Sequence, residues 1–134
     1  MNFNCPKKCE RGGSFSSYGC DIKCSECDFI CQVDGCIIKG GCDAIAIGKG
    51  KVLVIEAKSG RVSREDAKDA ARQLKECLDR YFSHINKRKL KLILLHGKRL
   101  DKPARIFLQK ECELRKQGFP IDHVKCGTDL SKYL

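Results

Sequence analysis

One stretch, CDAIAIGKGKVLVIEAKSG at residues 42–60, constrains the fold more than any other part of the chain. Two apolar, β-rich runs flank Lys49 and Gly50, and these two residues suit a two-residue hairpin turn. With that turn, an antiparallel ladder places Asp43 directly opposite Glu56. The stretch therefore predicts a hairpin of two buried strands that ends in a pair of opposed acidic side chains.

The opposed carboxylates need a cation between them. Side chains that face each other across such a ladder have Cβ atoms about 4.5 to 5.5 Å apart, so Asp43 and Glu56 repel each other. Mg²⁺ or Mn²⁺ would relieve the repulsion, because these hard ions accept one or two carboxylates and otherwise prefer water and phosphate oxygens. Lys58 projects from the same face as Glu56 and is expected to hold a water for attack on phosphorus. The alternative is a solvated pair at the end of a sheet, which Lys58 neutralises.

The rest of the chain alternates strands and helices. Predicted strands at 28–33 and 36–39 are joined at Asp34 and Gly35, before the central hairpin. After it, the predicted elements are a helix at 63–82 capped by Ser63 and Asp66, a strand at 90–95, a helix at 103–118 and an edge strand at 121–124. This order predicts an α/β sandwich with a mixed sheet. At 134 residues we expect a single domain, with a Cys-rich segment at 1–42 and an αβ core at 43–134.

Eight of the eleven cysteines lie in the Cys-rich segment. They are Cys5, Cys9, Cys20, Cys24, Cys27, Cys31, Cys36 and Cys42. Disulfides are the favoured interpretation, with a structural Zn²⁺ site, an iron-sulfur cluster and free thiols as alternatives. The outer cysteines of the group around Cys24 and Cys27 are spaced three residues away, which suits neither a zinc ribbon nor a ferredoxin motif. Under each alternative these cysteines hold the N-terminal segment together, whereas Cys77 and Cys112 are expected to be small buried hydrophobes.

The net charge of +10 is concentrated in one segment. Residues 87–105 carry eight Lys and Arg side chains against Asp101 alone. Such a run is either a solvated surface or a phosphate-binding surface, and it favours polyanionic partners. The residues expected to bind phosphate are Lys87, Arg88, Lys89, Lys98 and Arg99.

The spacing Asp43, twelve residues, Glu56, one residue, Lys58 resembles the signature of the PD-(D/E)XK nuclease superfamily. Over about residues 40–97 the chain is most similar to archaeal Holliday-junction resolvases and RecB-like nucleases. The resemblance implies a restriction-endonuclease-like sandwich, with a central mixed sheet flanked by helices. It also implies hydrolysis of DNA phosphodiesters, leaving a 5′-phosphate.

The same resemblance assigns roles to individual residues. Asp43, Glu56 and the Ala57 carbonyl would bind Mg²⁺ or Mn²⁺, and Lys58 would orient the attacking water. Gln73 would lie near the site on the helix that follows. Glu10, in a Glu-Arg pair, would supply a further acidic group, with Glu26 as the competing candidate.

Three other functions are left open. The chain could be an exonuclease of the RecB or CRISPR-adaptation type, or a non-catalytic DNA-binding protein stapled by cysteines or zinc. A Cys/His hydrolase using His84, His96 or His123 is a weaker alternative.

Since no run approaches ~18 apolar residues and the N-terminus has no apolar segment, we expect a cytoplasmic protein without membrane contact. Assembly as a homodimer is left open.

Overall fold

A computed structural model describes residues 3–134, and its centre is a five-stranded sheet in the order β3-β4-β5-β6-β7. The strands of the molecule are β1 (Ser14–Ser17), β2 (Cys20–Lys23), β3 (Phe29–Gln32), β4 (Ala44–Gly48), β5 (Lys51–Lys58), β6 (Leu90–His96) and β7 (Ile121–Lys125). Strands β3, β4 and β5 are antiparallel, whereas β5, β6 and β7 are parallel. The predicted mixed sheet of an α/β fold is therefore confirmed, and β7 is an edge strand as expected.

The longest helix, α1 (Arg64–Tyr81), begins as the sequence predicts. The Ser63 hydroxyl accepts a hydrogen bond from the Asp66 backbone N–H, and the Asp66 carboxylate accepts one from the Ser63 N–H. This capping box satisfies two backbone donors that a helix start leaves free. The apolar face of α1, with Ala70 and Leu74 at its centre, packs on the sheet.

The prediction of one continuous helix at 103–118 is wrong. It consists of α2 (Lys102–Ile106), a π-helical turn at Phe107–Glu111 and α3 (Glu113–Lys116). Cys112 is extended between the last two, with φ −65° and ψ 126°. Both Cys112 and Leu114 are buried, and residues two apart on one regular helix face different directions. The break lets both side chains reach the core.

The predicted hairpin around Asp34 and Gly35 is also wrong. Strand β3 pairs with β4, and residues 36–39 make no strand. The Val33 carbonyl instead accepts hydrogen bonds from the backbone N–H groups of Cys36 and Ile37, which coils the chain into tight turns. The apolar residues of β3 are thereby buried as the third antiparallel strand of the main sheet.

Both faces of the main sheet are covered. Side chains such as Val54 and Leu92 on one face form a core with the helices. On the other face, Ile55 and Ile93 form a second core with Ile22 of the β1–β2 hairpin and with residues near the C-terminus. Burial on both sides explains why β5 and β6 are almost continuously apolar rather than alternating.

The cysteines form five disulfides and leave Cys112 free and buried. The pairs are Cys5–Cys31, Cys9–Cys36, Cys20–Cys126, Cys24–Cys27 and Cys42–Cys77. The structure thus agrees with the disulfide interpretation, and no N-terminal cysteine is left as a thiolate ligand for zinc or iron. The expectation for Cys112 is confirmed, but that for Cys77 is wrong, because it is bonded to Cys42.

Two of these bridges extend beyond the N-terminal segment, contrary to expectation. Cys20–Cys126 ties the β1–β2 hairpin to the residue that follows β7, and Cys42–Cys77 ties the start of β4 to α1. Residues 3–42 are therefore cross-linked to the αβ core.

None of the helices in residues 3–134 combines the length and apolar character that a membrane crossing requires.

The disulfide framework predicts a definite thiol count. Denatured but unreduced protein should contain one alkylatable thiol, Cys112, and reduction should expose all eleven. Reduction should also lower the melting temperature, since closing a ~15-residue loop with a disulfide contributes about 3 kcal/mol. Mass spectrometry after alkylation gives the count. Eight or more free thiols together with stoichiometric zinc would contradict the framework.

Candidate active site

The central hairpin has the predicted register over its ladder, but the predicted pairing of Asp43 directly opposite Glu56 is not part of that ladder. Lys49 and Gly50 have φ values of 52° and 71°, as a two-residue turn of type I′ requires. The ladder then runs in regular register up to the pair of Ala44 and Ile55. The Asp43 backbone N–H donates to the Ile55 carbonyl at 3.0 Å, so regular pairing ends just before the two acidic residues. Asp43 and Glu56 thus lie together at the end of the ladder.

Asp43 is only 5% exposed and is held by two hydrogen bonds. Its Oδ2 accepts from the Ala57 backbone N–H at 2.7 Å, and its Oδ1 accepts from the Ser17 hydroxyl at 3.3 Å. Burial nevertheless raises the pKa of this carboxyl group, because desolvation outweighs the hydrogen bonds. Ser17 lies in the Cys-rich segment, and no sequence motif marks it as part of the site.

Glu56 is 3% exposed, and one of its oxygens, Oε1, has no hydrogen-bond partner in the part of the chain that the structure describes. Its other oxygen, Oε2, lies 3.6 Å from the Lys58 ammonium. Burial and the charge of Asp43 raise the pKa of Glu56 to about 9. At neutral pH and without a cation, Glu56 therefore keeps a proton, which it can donate to Asp43. One buried negative charge is tolerated at this position and a second is not.

The Lys58 side chain is held between two acids. Its Nζ lies 3.3 Å from Asp69 Oδ2, in addition to its contact with Glu56. Asp69 is on α1 and also pairs with Arg72, whose hydrogen bond is the first reason that the pKa of Asp69 is lowered. Asp69 was missed at the level of sequence. The sequence feature that could have identified Asp69 is its position four residues before Gln73, because this spacing places both residues on one face of the helix.

Gln73 lies on that same face of α1. Four residues before it, Asp69 contacts Lys58, and four residues after it, Cys77 is bonded to the residue that precedes Asp43. Gln73 is partly buried, and its Oε1 is fully buried without a hydrogen-bond partner. Gln73 thus lies on the helix face whose neighbouring positions contact the site, and its role there stays a prediction.

Neither glutamate proposed for the additional acidic group joins the site. Glu10 is exposed and pairs with Cys31, so that β3 and β4 separate it from Glu56 on β5. Glu26 forms an ion pair with Lys49 at the turn of the hairpin, the end opposite to Asp43. The candidate active site of this chain thus consists of other residues, with Asp69 as its third acid.

The basic segment is divided between the two ends of β6. Lys98 and Arg99 follow the strand and lie at the same end as Glu56, where the Lys98 N–H donates to the Gly60 carbonyl. Residues Lys87–Lys89 precede the strand, roughly 20 Å away at ~3.3 Å per residue. The expected single basic surface is therefore two surfaces, and only the first borders the site.

Two histidines occupy the same end of the sheet. His96 is buried and its Nδ1 lies 2.6 Å from the Lys98 carbonyl, which makes Nδ1 the protonated nitrogen. His123 Nδ1 lies 3.4 Å from His96 Nε2, so His123 is the donor of that contact.

In residues 3–134 every cysteine except the buried Cys112 is in a disulfide, which leaves no exposed thiol for a Cys/His hydrolase.

The chemistry of the donors fits a hard divalent cation. Glu56 Oε1 and Gln73 Oε1 are buried oxygen acceptors without partners, and Asp43 and Glu56 repel each other when both are ionised. Within residues 3–134 no group of three or more His, Cys, Asp and Glu side chains is gathered as a metal site. A cation here would have two carboxylates, and backbone oxygen or water would complete its coordination, as is usual for Mg²⁺.

Comparison of the chain with models of protein families, with curated proteins and with solved structures finds no match. The functional interpretation of the site therefore depends on its own geometry and chemistry.

The raised pKa of Glu56 predicts how stability depends on pH in the absence of metal. Between an ordinary pKa of 4.5 and about 9, folded Glu56 keeps its proton while unfolded Glu56 has lost it. The unfolded state binds fewer protons, so the free energy of unfolding falls as pH rises through this window. Glu56→Gln removes this contribution. In denaturant titrations in EDTA, the free energy of unfolding of the variant minus that of the parent should increase as pH rises through this window. The increase should be up to about 1.4 kcal/mol per pH unit.

The comparison isolates the coupled pair of Glu56 and Asp43, because the other titrating residues are common to both proteins. A stability difference between parent and variant that stays constant from about pH 5 to 9 would show that Glu56 ionises normally.

Proposed function

We propose that the protein is a metal-dependent endonuclease that hydrolyses DNA phosphodiester bonds by the PD-(D/E)XK mechanism. Its sheet and helices would then be a restriction-endonuclease-like sandwich. The observation that carries the proposal is the buried pair of Asp43 and Glu56, which meets at the end of a ladder beside Lys58. A pair of this kind is costly for a protein that needs it only for structure, because one carboxyl group must keep its proton.

Asp43, Glu56 and the Ala57 carbonyl would hold the cation. The Ala57 N–H donates to Asp43, which fixes the aspartate relative to the β5 backbone. Mg²⁺ or Mn²⁺ bound there would supply a water of lowered pKa and would neutralise charge that develops at phosphorus. Glu56 would hold the cation in its ionised form, so that binding would release the proton that Glu56 keeps without metal.

Lys58 would orient the attacking water. Glu56 and Asp69 hold its ammonium from two sides, so that the direction of the remaining N–H donor is restricted. The Gln73 amide oxygen has no hydrogen-bond partner among residues 3–134 and is available to accept a hydrogen bond from the same water. Hydrolysis adds the water oxygen to phosphorus and releases the 3′-oxygen with a proton, which leaves a 5′-phosphate.

The two basic surfaces suit a DNA substrate larger than a dinucleotide. Lys98 and Arg99 would bind phosphates next to the cleaved bond, although Arg99 also pairs with Asp101. Residues Lys87–Lys89 would contact the backbone roughly 20 Å away, about six base pairs of duplex. Two separated contacts of this kind fit a branched substrate such as a Holliday junction, and an exonuclease is the alternative.

The disulfides also bear on where the protein would act. Inside cells, five disulfides persist in hyperthermophiles, whose intracellular proteins are rich in them. The proposed cytoplasmic location is therefore tied to a hyperthermophilic source, in keeping with the single methionine of the chain.

Three substitutions test the proposed activity. Asp43→Asn and Glu56→Gln should each abolish Mn²⁺-dependent cleavage and keep the fold, since both changes are nearly isosteric and relieve repulsion. Lys58→Ala should reduce turnover by about 100-fold or more but keep Mn²⁺ binding, because a protonated lysine donates hydrogen bonds and cannot ligate. Cleavage is measured on supercoiled plasmid, linear duplex and four-way DNA, and binding by calorimetry.

Lys75→Ala is the matched control, because Lys75 is an exposed lysine on α1 whose ion pair is with Asp79, and its loss should leave turnover unchanged. If the Asp43 and Glu56 variants bind Mn²⁺ and cut DNA like the parent, a non-catalytic DNA-binding protein becomes the better interpretation.

A further inference from the structure

The tip of the β1–β2 hairpin has an unusual residue at its turn. Ser17 pairs with Cys20, and the two residues between them have φ values of 48° for Tyr18 and 83° for Gly19. Such a turn favours Asn, Asp or Gly at its first position, because a side chain is disfavoured at positive φ. Tyr18 therefore has a backbone conformation that is unfavourable for a tyrosine.

The fold gains little from the Tyr18 ring. The side chain is 78% exposed, the most exposed large hydrophobic residue in the part of the chain that the structure describes. Its ring joins neither hydrophobic core nor any aromatic pair within residues 3–134. Its hydroxyl makes one long hydrogen bond, 3.5 Å to Asp34 Oδ2. By contrast Lys49, which has the same position in the other hairpin turn, forms an ion pair. A residue that is strained and exposed indicates a role outside folding.

The residues on both sides of Tyr18 contact the segments that form the candidate active site. The residue before it, Ser17, donates a hydrogen bond to Asp43. The residue after it, Gly19, lies so close to Ser59 that a Cβ at Gly19 would be 3.7 Å from the Ser59 Cβ. Ser59 follows Lys58 directly. Tyr18 is thus fixed between the two chain segments that supply the acidic and basic groups of the site.

The hairpin tip is held rigidly in that position. The Cys20–Cys126 disulfide begins one residue after Gly19 and ends just beyond β7. The Cys126 N–H donates to the His96 carbonyl at 3.0 Å, and the Gly127 N–H donates to the Asp21 carbonyl at 2.8 Å. A ring on such a support loses little conformational freedom when a ligand stacks on it.

We propose that Tyr18 is a stacking platform for an unpaired nucleobase next to the scissile phosphate, which directs the enzyme to single-stranded or locally unpaired DNA. This inference rests on the proposed nuclease function and names its substrate class. Aromatic side chains bind single strands by stacking on base faces, and every base offers such a face whatever the sequence. In duplex DNA the neighbouring bases cover those faces. The exposed ring therefore selects for the absence of pairing.

The experiment uses a single-stranded oligonucleotide that contains 2-aminopurine, whose fluorescence is quenched by stacking. Binding is measured in EDTA, so that no cleavage is needed. Tyr18→Phe keeps the ring and should retain both affinity and quenching. Tyr18→Gly removes the ring and suits the positive φ, so it should be at least as stable as the parent. It should weaken binding by about 5- to 150-fold and abolish the additional quenching.

Ile106→Ala is the matched control, since Ile106 is the other exposed large hydrophobic residue of the described chain, at 37%, and lies on α2. It should leave affinity unchanged. If Tyr18→Gly binds and quenches like the parent, or if the parent does not bind the single strand, the inference is overturned. Loss of affinity for duplex and single strand alike, with unchanged quenching, would also overturn it.

The result is separable from the test of the nuclease function. Cleavage by the Asp43→Asn variant tests the cation chemistry, whereas quenching by the parent in EDTA requires neither the cation nor cleavage. If this variant still cuts DNA, the proposed chemistry fails, whereas the Tyr18 variants still decide whether a base stacks at the tip.

Discussion

The burial of two carboxyl groups at the end of one ladder is the constraint on which the rest of the site depends. Asp43 and Glu56 are both almost inaccessible to water, so they cannot both be ionised without compensation. The structure supplies part of this compensation: the Ala57 N–H and the Ser17 hydroxyl donate to Asp43, and the Lys58 ammonium lies beside Glu56. One oxygen of Glu56 remains without a partner and its pKa stays high. The cation that we propose would complete this compensation and remove the proton.

The disulfides make the N-terminal segment part of the candidate active site rather than a neighbour of it. Cys42–Cys77 fixes the start of β4 against α1, and thereby fixes Asp43 relative to the helix that carries Gln73 and Asp69. Cys20–Cys126 fixes the hairpin that supplies Ser17. Because a disulfide restricts the chain independently of the size of the hydrophobic core, short strands such as β1 and β2 can position side chains here.

The central hairpin could be predicted from sequence because its information is local. The turn residues, the apolar runs of the two strands and the capping box of α1 each act within a few positions, and all are confirmed. The failures concern interactions between distant residues. The pairing of β3 with β4 and the bridge from Cys20 to Cys126 depend on which segments meet in space, and the spacing of residues does not encode this. Asp69 was missed for the same reason, since only its contact with Lys58 marks it.

Proton release on cation binding tests the central claim most directly. If Mn²⁺ replaces the proton that Glu56 holds, calorimetric titrations at about pH 7.5 in two buffers of different ionisation enthalpy should show about one proton released per Mn²⁺ bound. The Glu56→Gln variant has no proton to release, and its affinity for Mn²⁺ should fall sharply. Binding by the parent without proton release, or equal binding by Glu56→Gln, would contradict the account.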